Sequence, residues 1–297
     1  MKIAVVGSIN IDMTVSVDRM PRKGETVLAN DLAYSFGGKG ANQAVAMARV
    51  GAQVWMFGCV GNDSNGQAAL DNLRQQGVHT EYVEIIPAVP TGNALITLGE
   101  NDNMIVVVQG ANLKVDSRYA AEICPKLEDF EMVVLQQEIP METVEQIVDY
   151  CYEKRIPVAL NPAPAAEISD NIVKKVTYLT PNEHEVKIIF GNEKKIEELL
   201  LDYPEKLIVT RGSKGAVVGT VNGEIIQVPA LKVNVVDTTG AGDTFNGAFF
   251  VRIGKGDSIM AAIRFANIAA GLSTEKFGAQ AGMPTEEQVN SLYNSMA

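Results

Sequence analysis

The chain has 297 residues, of which 46% are hydrophobic and 21% are charged, and its formal net charge at pH 7 is −11. This length and composition are typical of an ordinary globular protein, with room for one large α/β domain or two small ones. No run of Lys and Arg interrupts the acidic balance, which argues against nucleic acid or an anionic membrane as a partner.

The cysteines and the hydropathy pattern narrow the class of protein further. Cys59, Cys124 and Cys151 show no C-x-x-C spacing, so we expect them to pack in the core rather than to form disulfides or bind a metal. The sequence has no signal peptide and no apolar run long enough to span a bilayer. We therefore expect a cytoplasmic protein.

Short apolar runs recur along the chain and predict buried parallel strands, with amphipathic helices between them. The predicted strands are 3–6, 54–57, 132–135, 158–160 and 207–209, and the predicted helices lie near 39–50, 65–76, 141–154, 241–253, 257–272 and 285–294. This alternation predicts an α/β fold, in which a doubly wound, mainly parallel sheet is flanked by helices. We expect one domain over residues 1–297.

Two stretches break the alternation of strands and helices. Residues 13–34 and 92–109 contain short β-rich pieces, at 26–28 and 105–108, with no helix between them. They predict a small antiparallel sheet that projects over one edge of the main sheet. Such a sheet would serve as a lid or as a surface for dimerisation.

Polar residues and glycines follow the predicted strands regularly. Each of them is readily explained as a loop former that ends its strand, but several along one edge of the sheet favour a binding site. In an open α/β sheet, ligands bind beyond the carboxyl ends of the strands. The residues concerned are Gly7, Ser8, Asn10, Asp12, Glu138, Asn161, Thr180, Asn182, Glu185, Thr210 and Gly212.

A first glycine-rich segment, residues 36–42, has the sequence F-G-G-K-G-A-N and precedes the first predicted helix. Its glycines allow the backbone to approach a ligand closely, and Lys39 and Asn42 project from the first helical turn. The spacing matches neither a P-loop nor a dinucleotide-binding fingerprint. Taken alone, this segment is a weak signal.

A second glycine-rich segment, residues 237–245, has the sequence D-T-T-G-A-G-D-T-F. Helical periodicity begins at Ala241, so Gly240, Ala241 and Gly242 form a first turn whose backbone N–H groups have no partner within the helix. These donors suit negative charge that develops on a transferring phosphoryl group. Asp243 in the same turn can stabilise the helix N-terminus, and it is also placed to accept a proton from an attacking hydroxyl.

Taken together, these segments resemble the ribokinase-like (PfkB-type) carbohydrate kinases, in the expected order and over nearly the whole chain. The matching segments are G-S-I-N-I-D at 7–12, G-G-K-G-A-N-Q-A at 37–44, N-P-A-P-A at 161–165, P-N-E-H-E at 181–185, and the second glycine-rich segment extended to 247. The resemblance implies an α/β domain with a β-sheet lid that is often shared across a homodimer. It also implies transfer of the γ-phosphoryl group of ATP to a sugar hydroxyl.

The resemblance implies roles for individual residues as well. The sugar would be bound by Asn10, Asp12, Gly38, Lys39, Asn42, Glu138 and Asp243, with Asp243 as the catalytic base and Gly240, Ala241 and Gly242 as the anion hole. ATP would contact Asn182, Thr210, Gly212, Gly215, Gly242 and Asn267, and Glu185 would bind Mg²⁺ indirectly. A K⁺ site would use Asp237, Thr239, Ser273, Lys276, Gly278 and Gly282.

The second loop of the implied K⁺ site departs from the family pattern. Lys276 begins a K-F-G-A run where many members have Arg before K-G-A, and Gly282 stands where others have a serine. A side-chain ligand at position 282 is thereby lost, although most ligands in such a loop are backbone carbonyls.

The expected acceptor is D-ribose, phosphorylated at O5, and the alternatives within the family are 2-deoxyribose, a ketohexose or a nucleoside. Two readings from other classes are a nucleotide-binding dehydrogenase and a non-catalytic sugar sensor. The absence of G-x-G-x-x-G after the first strand opposes the first, and an intact Asp243 beside an anion hole opposes the second.

Overall fold

The computed structural model of the chain describes residues 1–100 and 102–295. Its strands are β1 (Lys2–Val6), β2 (Asn10–Ser16), β3 (Asp31–Gly37), β4 (Gln53–Gly61), β5 (Val78–Ile86), β6 (Gly92–Gly99), β7 (Asp102–Val108), β8 (Met132–Leu135), β9 (Val158–Leu160), β10 (Tyr178–Leu179), β11 (Ile208–Thr210), β12 (Ala216–Gly219) and β13 (Ile225–Val228). Its α-helices are α1 (Lys39–Arg49), α2 (Ser64–Gln75), α3 (Ser117–Ile123), α4 (Met141–Lys154), α5 (Asp170–Lys175), α6 (Glu183–Phe190), α7 (Ile196–Asp202), α8 (Ala241–Gly254), α9 (Ile259–Ser273) and α10 (Glu286–Ser295).

A six-stranded sheet with the order β10-β9-β8-β1-β4-β5 forms the centre of the molecule. All its strand pairings are parallel. Apolar side chains fill a separate core on each face, one under α1, α8 and α9 and the other under α3 and α4. The prediction of an α/β fold with a parallel sheet between two helical layers is confirmed.

The strand predicted at 207–209 corresponds to β11, which departs from the parallel pattern. It pairs antiparallel with β12 in a three-stranded sheet of order β11-β12-β13. In the described part of the chain, it is connected to the edge of the central sheet by two isolated parallel bridges, Leu179–Leu207 and Asn182–Thr210. The reason is the short turn at Gly212–Lys214, which reverses the chain directly into β12 and leaves no room for a crossover helix.

A further sheet with the order β3-β2-β6-β7, here called the small sheet, contains the β-rich stretches at 13–34 and 92–109. Its outer pairings are antiparallel, but β2 and β6 run parallel, so the sheet is mixed rather than wholly antiparallel. The strand predicted at 26–28 is wrong. That segment lies in a loop after a turn at Gly24 (φ 84°), and Leu28 is 91% exposed.

The predicted helices agree closely with α1, α2, α4, α8, α9 and α10. The three cysteines are unpaired and buried, as expected for core residues. Burial raises the pKa of Cys59 and Cys151 to about 12, which keeps both thiols protonated and inert. Among the helices in the described ranges, none combines the length and apolar character that a bilayer crossing requires.

Candidate active site

The predicted polar residues meet at the carboxyl end of the central sheet, between the first turns of α1 and α8. Asn42 on α1 donates a hydrogen bond to Asp243 on α8, with 3.0 Å between Nδ2 and Oδ2. Glu138, which follows β8, accepts from the Ser8 hydroxyl at 2.5 Å and from the Lys39 backbone N–H at 2.9 Å. Residues that lie far apart in the sequence are therefore brought together in one cluster.

The first glycine-rich segment packs directly onto the turn after β1. Gly38 has φ 88°, and a Cβ there would lie 2.8 Å from the backbone nitrogen of Asn10. A Cβ on Gly40 would lie 2.7 Å from the carbonyl carbon of Gly7. Both positions require glycine, because any side chain would push α1 away from the sheet. Gly38 supplies no side-chain cap to α1, and the carboxylate of Glu138 takes that place.

Asn10 and Asp12 lie at alternate positions of β2, so their side chains share one face of the small sheet. The Oδ1 of Asn10 accepts from Asn112 Nδ2 at 2.7 Å, while Asn112 Oδ1 accepts from the backbone N–H of Ile9 at 2.9 Å. The backbone N–H of Ile9 can only donate, so Oδ1 of Asn112 must face it. Nδ2 of Asn112 then faces Asn10, and the Asn10 atom that accepts from it must be Oδ1. Among the described residues, Asn10 Nδ2 has no hydrogen-bond acceptor, and this donor lies on the same face of the sheet as the Asp12 carboxylate.

The electrostatics of this cluster are dominated by four carboxylates around one lysine. Burial raises the pKa of Asp12 to about 6, with Glu138 and Asp243 adding to the shift and Lys39 opposing it. Burial disfavours the charged form of Lys39, but Asp243, Glu138, Glu185 and Asp12 outweigh it and raise its pKa. Lys39 therefore stays protonated at neutral pH.

Asp243 is a buried carboxylate held by two amide side chains. Asn42 donates to Oδ2 and Gln43 donates to Oδ1, each at 3.0 Å. Burial raises the pKa of Asp243, while Lys39 and the two amide donors oppose that rise. Asn42 is itself held by Gln280, whose Nε2 lies 3.0 Å from Asn42 Oδ1.

The first turn of α8 presents unpaired backbone donors beside Asp243. Gly240 begins the helix in the left-handed conformation (φ 76°) and packs against Ala279. Within the described ranges, the N–H groups of Gly242 and Asp243 have no hydrogen-bond acceptor, and nothing lies within 4 Å of a Cβ placed on Gly242. The N–H of Ala241 instead donates to the Thr238 carbonyl at 3.2 Å, so it is committed to the turn.

Asn182 and Glu185 form a capping box at the start of α6. Asn182 Oδ1 accepts from the backbone N–H groups of His184 and Glu185, and Glu185 Oε2 accepts from the Asn182 N–H at 2.7 Å. Burial raises the pKa of Glu185, and Lys39 opposes that shift. The remaining oxygen, Oε1, is left for a ligand or a water molecule.

The other residues implied for ATP lie along the three-stranded sheet and α9. Thr210 ends β11, and Gly212 (φ 53°) and Gly215 (φ 89°) shape the turn that follows it. A Cβ on Gly215 would lie 2.0 Å from the Val228 carbonyl oxygen, so only glycine fits there. Asn267 is buried, and its Nδ2 donates to the carbonyls of Val228 and Pro229, which ties β13 to α9.

Asp237 links the segment before α8 to the loop at 273–282. Its Oδ1 accepts from the N–H and the hydroxyl of Thr239, and its Oδ2 accepts from the Gly278 N–H at 2.8 Å. Burial acts to raise the pKa of Asp237, but these donors outweigh it and lower the pKa. Lys276 is exposed, and in the described part of the chain it forms no ion pair with Asp237.

The remaining members of that loop are held by the backbone. The Ser273 hydroxyl donates to the Ala270 carbonyl, and a Cβ on Gly282 would lie 2.0 Å from the Ser273 carbonyl oxygen. The described residues contain no cluster of three or more His, Cys, Asp or Glu side chains that could hold a metal ion.

Sequence reasoning missed three amides that organise the site, namely Gln43, Asn112 and Gln280. Gln43 lies within the matching segment 37–44, in which Lys39 and Asn42 are predicted to bind the sugar and Gln43 is not. Gln280 lies in the loop of the implied cation site. Asn112 belongs to no recognisable motif, so nothing in the sequence signals its contact with Asn10.

Comparisons with known proteins agree over the whole chain. The family model described as pfkB family carbohydrate kinase matches residues 1–286. A ribokinase of Bacillus subtilis is 49% identical over 290 residues, covering 98% of each chain, and one of Lactococcus lactis is 46% identical, covering 97% of this chain and 95% of its own. The structure of Arabidopsis thaliana ribokinase complexed with ribose and ATP superposes with a TM-score of 0.89 at 31% identity and covers 98% of both chains.

Proposed function

We propose that this chain, which belongs to the pfkB family of carbohydrate kinases, transfers the γ-phosphoryl group of ATP to O5 of D-ribose. Family membership makes it a phosphotransferase that acts on a carbohydrate. The observation that carries the proposal is the buried carboxylate of Asp243, held by two amides beside two unpaired N–H groups. The choice of ribose is supported by relatives named ribokinase at 49% and 46% identity.

The sugar would lie between β2 and the first turns of α1 and α8. Asn10 offers an N–H donor and Asp12 offers carboxylate acceptors, so the two together suit adjacent sugar hydroxyls, each of which donates and accepts. Lys39, Asn42 and Glu138 supply further polar atoms at the rim, and the bare backbone of Gly38 allows close approach. A polyol satisfies this set of partners better than an apolar ligand does.

The reaction is a direct displacement at phosphorus. The sugar O5 hydroxyl gives its proton to Asp243 as the oxygen attacks the γ-phosphorus, and a new O–P bond forms. The bond from the γ-phosphorus to the bridging oxygen breaks, and ADP leaves with that electron pair. The N–H groups of Gly242 and Asp243 donate to the phosphoryl oxygens, where negative charge is concentrated. Asp243 later releases its proton to solvent.

ATP would lie along the three-stranded sheet, next to Thr210, Gly212, Gly215 and Asn267. Asn182 forms a bridge to Thr210 at the edge of this sheet, and Glu185 in the same capping box is near enough to Lys39 and Asp243 for their charges to act on it. One free carboxylate oxygen suits Mg²⁺ held through its water shell, since this ion keeps several waters and binds mainly to substrate phosphates. When bound, the ion would neutralise phosphate charge.

A monovalent cation fits the groups around Asp237. The carboxylate of Asp237, the Thr239 hydroxyl and backbone carbonyls from residues 273–282 would be its oxygen ligands, and the bonds from Thr239 and Gly278 to Asp237 support this by holding the two segments together. Asp237 already connects the two segments through Thr239 and Gly278. A bound cation would add rigidity to the turn that carries Gly242.

We also propose a homodimer through the small sheet. Five consecutive apolar residues of its edge strand β7, Met104 to Val108, are each at least 43% exposed. An exposed apolar edge strand tends to pair with another chain, and in a homodimer the second copy would cover these side chains. Sedimentation equilibrium of the wild-type protein and of Val106→Lys tests this, and a monomeric wild type at micromolar concentration would refute it.

The cytoplasm is the proposed location, because ATP is present there and the three unpaired thiols would remain reduced. Cell fractionation that recovers the protein with a membrane or outside the cell would exclude it.

The substrate proposal is tested by measuring ADP formation with a panel of pentoses, ketohexoses and nucleosides. D-Ribose should give the highest kcat/KM, and 2-deoxyribose should be at least about tenfold poorer because it leaves a buried polar partner unsatisfied. Faster turnover of 2-deoxyribose, a ketohexose or a nucleoside would reassign the acceptor. No ADP formation with any sugar would favour a non-catalytic sugar sensor.

A further inference from the structure

A network of buried amides contacts Asp243 through Oδ1, the oxygen that Asn42 does not bind. Gln43 is fully buried, and its Nε2 donates to both Asp243 Oδ1 and Asn161 Oδ1, each at 3.0 Å. Its Oε1 accepts from Gln136 Nε2 at 2.8 Å, and Gln136 is also fully buried. Gln43 therefore uses both of its N–H groups and its carbonyl within the protein.

The orientation of each amide group in this network is determined by neighbouring oxygen atoms that can only accept hydrogen bonds. Asn161 Nδ2 donates to the backbone carbonyl of Thr180 at 3.0 Å, which turns Asn161 Oδ1 toward Gln43. The carboxylate of Asp243 demands the same orientation of Gln43 from the other side. With both ends fixed, the amide of Gln43 cannot flip without placing oxygen against oxygen.

The arrangement leaves one polar atom without a partner at the end of the amide network that is farthest from Asp243. Gln136 Oε1 is buried and has no hydrogen-bond partner among the described residues. Flipping Gln136 would bring its oxygen against Gln43 Oε1, so the orientation imposed at Asp243 leaves this one atom unsatisfied. Burying an acceptor without a donor is unfavourable, so the groups around Gln43, rather than Gln136 itself, determine this orientation.

The same network of hydrogen bonds also extends to the first turn of α8, which carries the unpaired N–H groups. The Thr180 hydroxyl donates to Asn246 Oδ1 at 2.5 Å, and Asn246 Nδ2 donates to the Gly242 carbonyl at 2.9 Å. Asp243 and Gly242 are therefore held relative to each other by side chains from α1, from the residues that directly follow β9 and β10, and from α8.

We propose that Gln43 is a positioning residue for the catalytic base, which fixes the plane of the Asp243 carboxyl so that Oδ2 faces the acceptor hydroxyl. This inference rests on the proposed role of Asp243 as the base. Gln43 is fully buried, so it acts through Asp243 rather than through contact with the sugar. Asn42 binds the other oxygen of this carboxylate, Oδ2, and is one of the residues proposed to contact the sugar directly.

The donor from Gln43 also favours the ionised form of Asp243, since a hydrogen bond to a carboxylate opposes protonation. The charged groups that act on this carboxyl are Lys39 on α1, which stabilises the anion, and the carboxylates Glu138, Asp12 and Glu185, which oppose it. Removing Gln43 alone leaves all four in place. The acidic limb of the kcat profile should then move to higher pH.

The test compares Gln43→Met with wild type in steady-state kinetics across pH and in ribose binding without ATP by calorimetry. We expect kcat to fall about 10- to 100-fold, because small misplacements of a reacting group have effects of this size. The acidic limb of kcat should move to higher pH, while the dissociation constant for ribose should change less than about threefold. Gln136→Met, which keeps the bond from Gln43 to Asp243, is the matched control and should lower kcat less than about fivefold with an unmoved limb.

If Gln43→Met does not fold, Gln43→Asn is measured instead, since its shorter amide cannot reach Oδ1 while most of the volume is retained. A purely structural role would lower the melting temperature and leave kcat and its acidic limb unchanged, which would overturn the inference. Asp243→Asn is measured in parallel. If that variant keeps more than about a tenth of wild-type kcat, the base assignment itself fails; if it is inactive while the Gln43 variant behaves as wild type, only the present inference fails.

Discussion

Asp12 offers the sharpest test of how the site trades stability for binding. Burial raises the pKa of its carboxyl from 3.8 to about 6, so the folded protein binds this proton more tightly than the unfolded chain does. The free energy of unfolding must then fall as pH rises through the interval between those two values. Above it, the ionised carboxylate is held in a site that disfavours its charge. A shift of about two pKa units corresponds to about 3 kcal/mol of destabilisation.

The perturbation is Asp12→Asn, which keeps the size of the side chain and removes the charge. At about pH 8 the free energy of unfolding of the variant should exceed that of the wild type by nearly the whole of this destabilisation. At about pH 4.5 the wild-type carboxyl is already mostly ionised in the unfolded chain, so part of the destabilisation is already present. The stability difference between variant and wild type should therefore grow by about 2 kcal/mol from the lower to the higher pH. Effects of the substitution that do not depend on pH cancel in this comparison.

The assay is urea unfolding of the sugar-free protein, followed by circular dichroism at both pH values. Asp129→Asn, at an exposed position, is the matched control and should show no such growth. A change below about 0.5 kcal/mol, or an equal change in the control, would refute the electrostatic reasoning. In kinetics, Asp12→Asn should lower kcat/KM for ribose at least tenfold, and the wild-type KM for ribose should rise as pH falls below about 6.

Two further predictions concern the chemistry. Asp243→Asn should leave ATP and ribose binding by calorimetry nearly intact while kcat falls about 10²- to 10⁴-fold, and retention of more than a tenth of kcat would remove Asp243 from the role of base. KCl, titrated against the chloride of a bulky organic cation at fixed ionic strength, should raise kcat or improve ATP handling, because ordering Asp237 and Thr239 aligns the N–H groups beside Asp243. Coincident titrations would mean that no functional cation site exists in this chain.

Much of this architecture could be predicted because its signals are local. The buried strands 3–6 and 132–135 follow from uninterrupted apolar runs, and the start of α8 at Ala241 follows from helical periodicity after glycine. The position of a ligand site at the carboxyl edge follows from the parallel topology itself. The strand predicted at 26–28 is wrong because a strand also needs a partner, which a local pattern does not supply. Without one, these three residues form a loop.

Pairing and hydrogen-bond polarity required the tertiary structure. The parallel pairing of β2 with β6 depends on the path of the chain between them, which propensity does not encode. Gln43 and Asp243 are separated by 200 positions, and Asn10 and Asn112 by 102. The sequence by itself was enough to predict the two glycine-rich segments and most polar groups of the proposed site, because residue types and short spacings are local, but it did not point to Gln43, Asn112 or Gln280. Only the folded chain decided which oxygen of Asp243 is held and which face of Asn10 is free, because those choices depend on donors and acceptors brought together from distant elements.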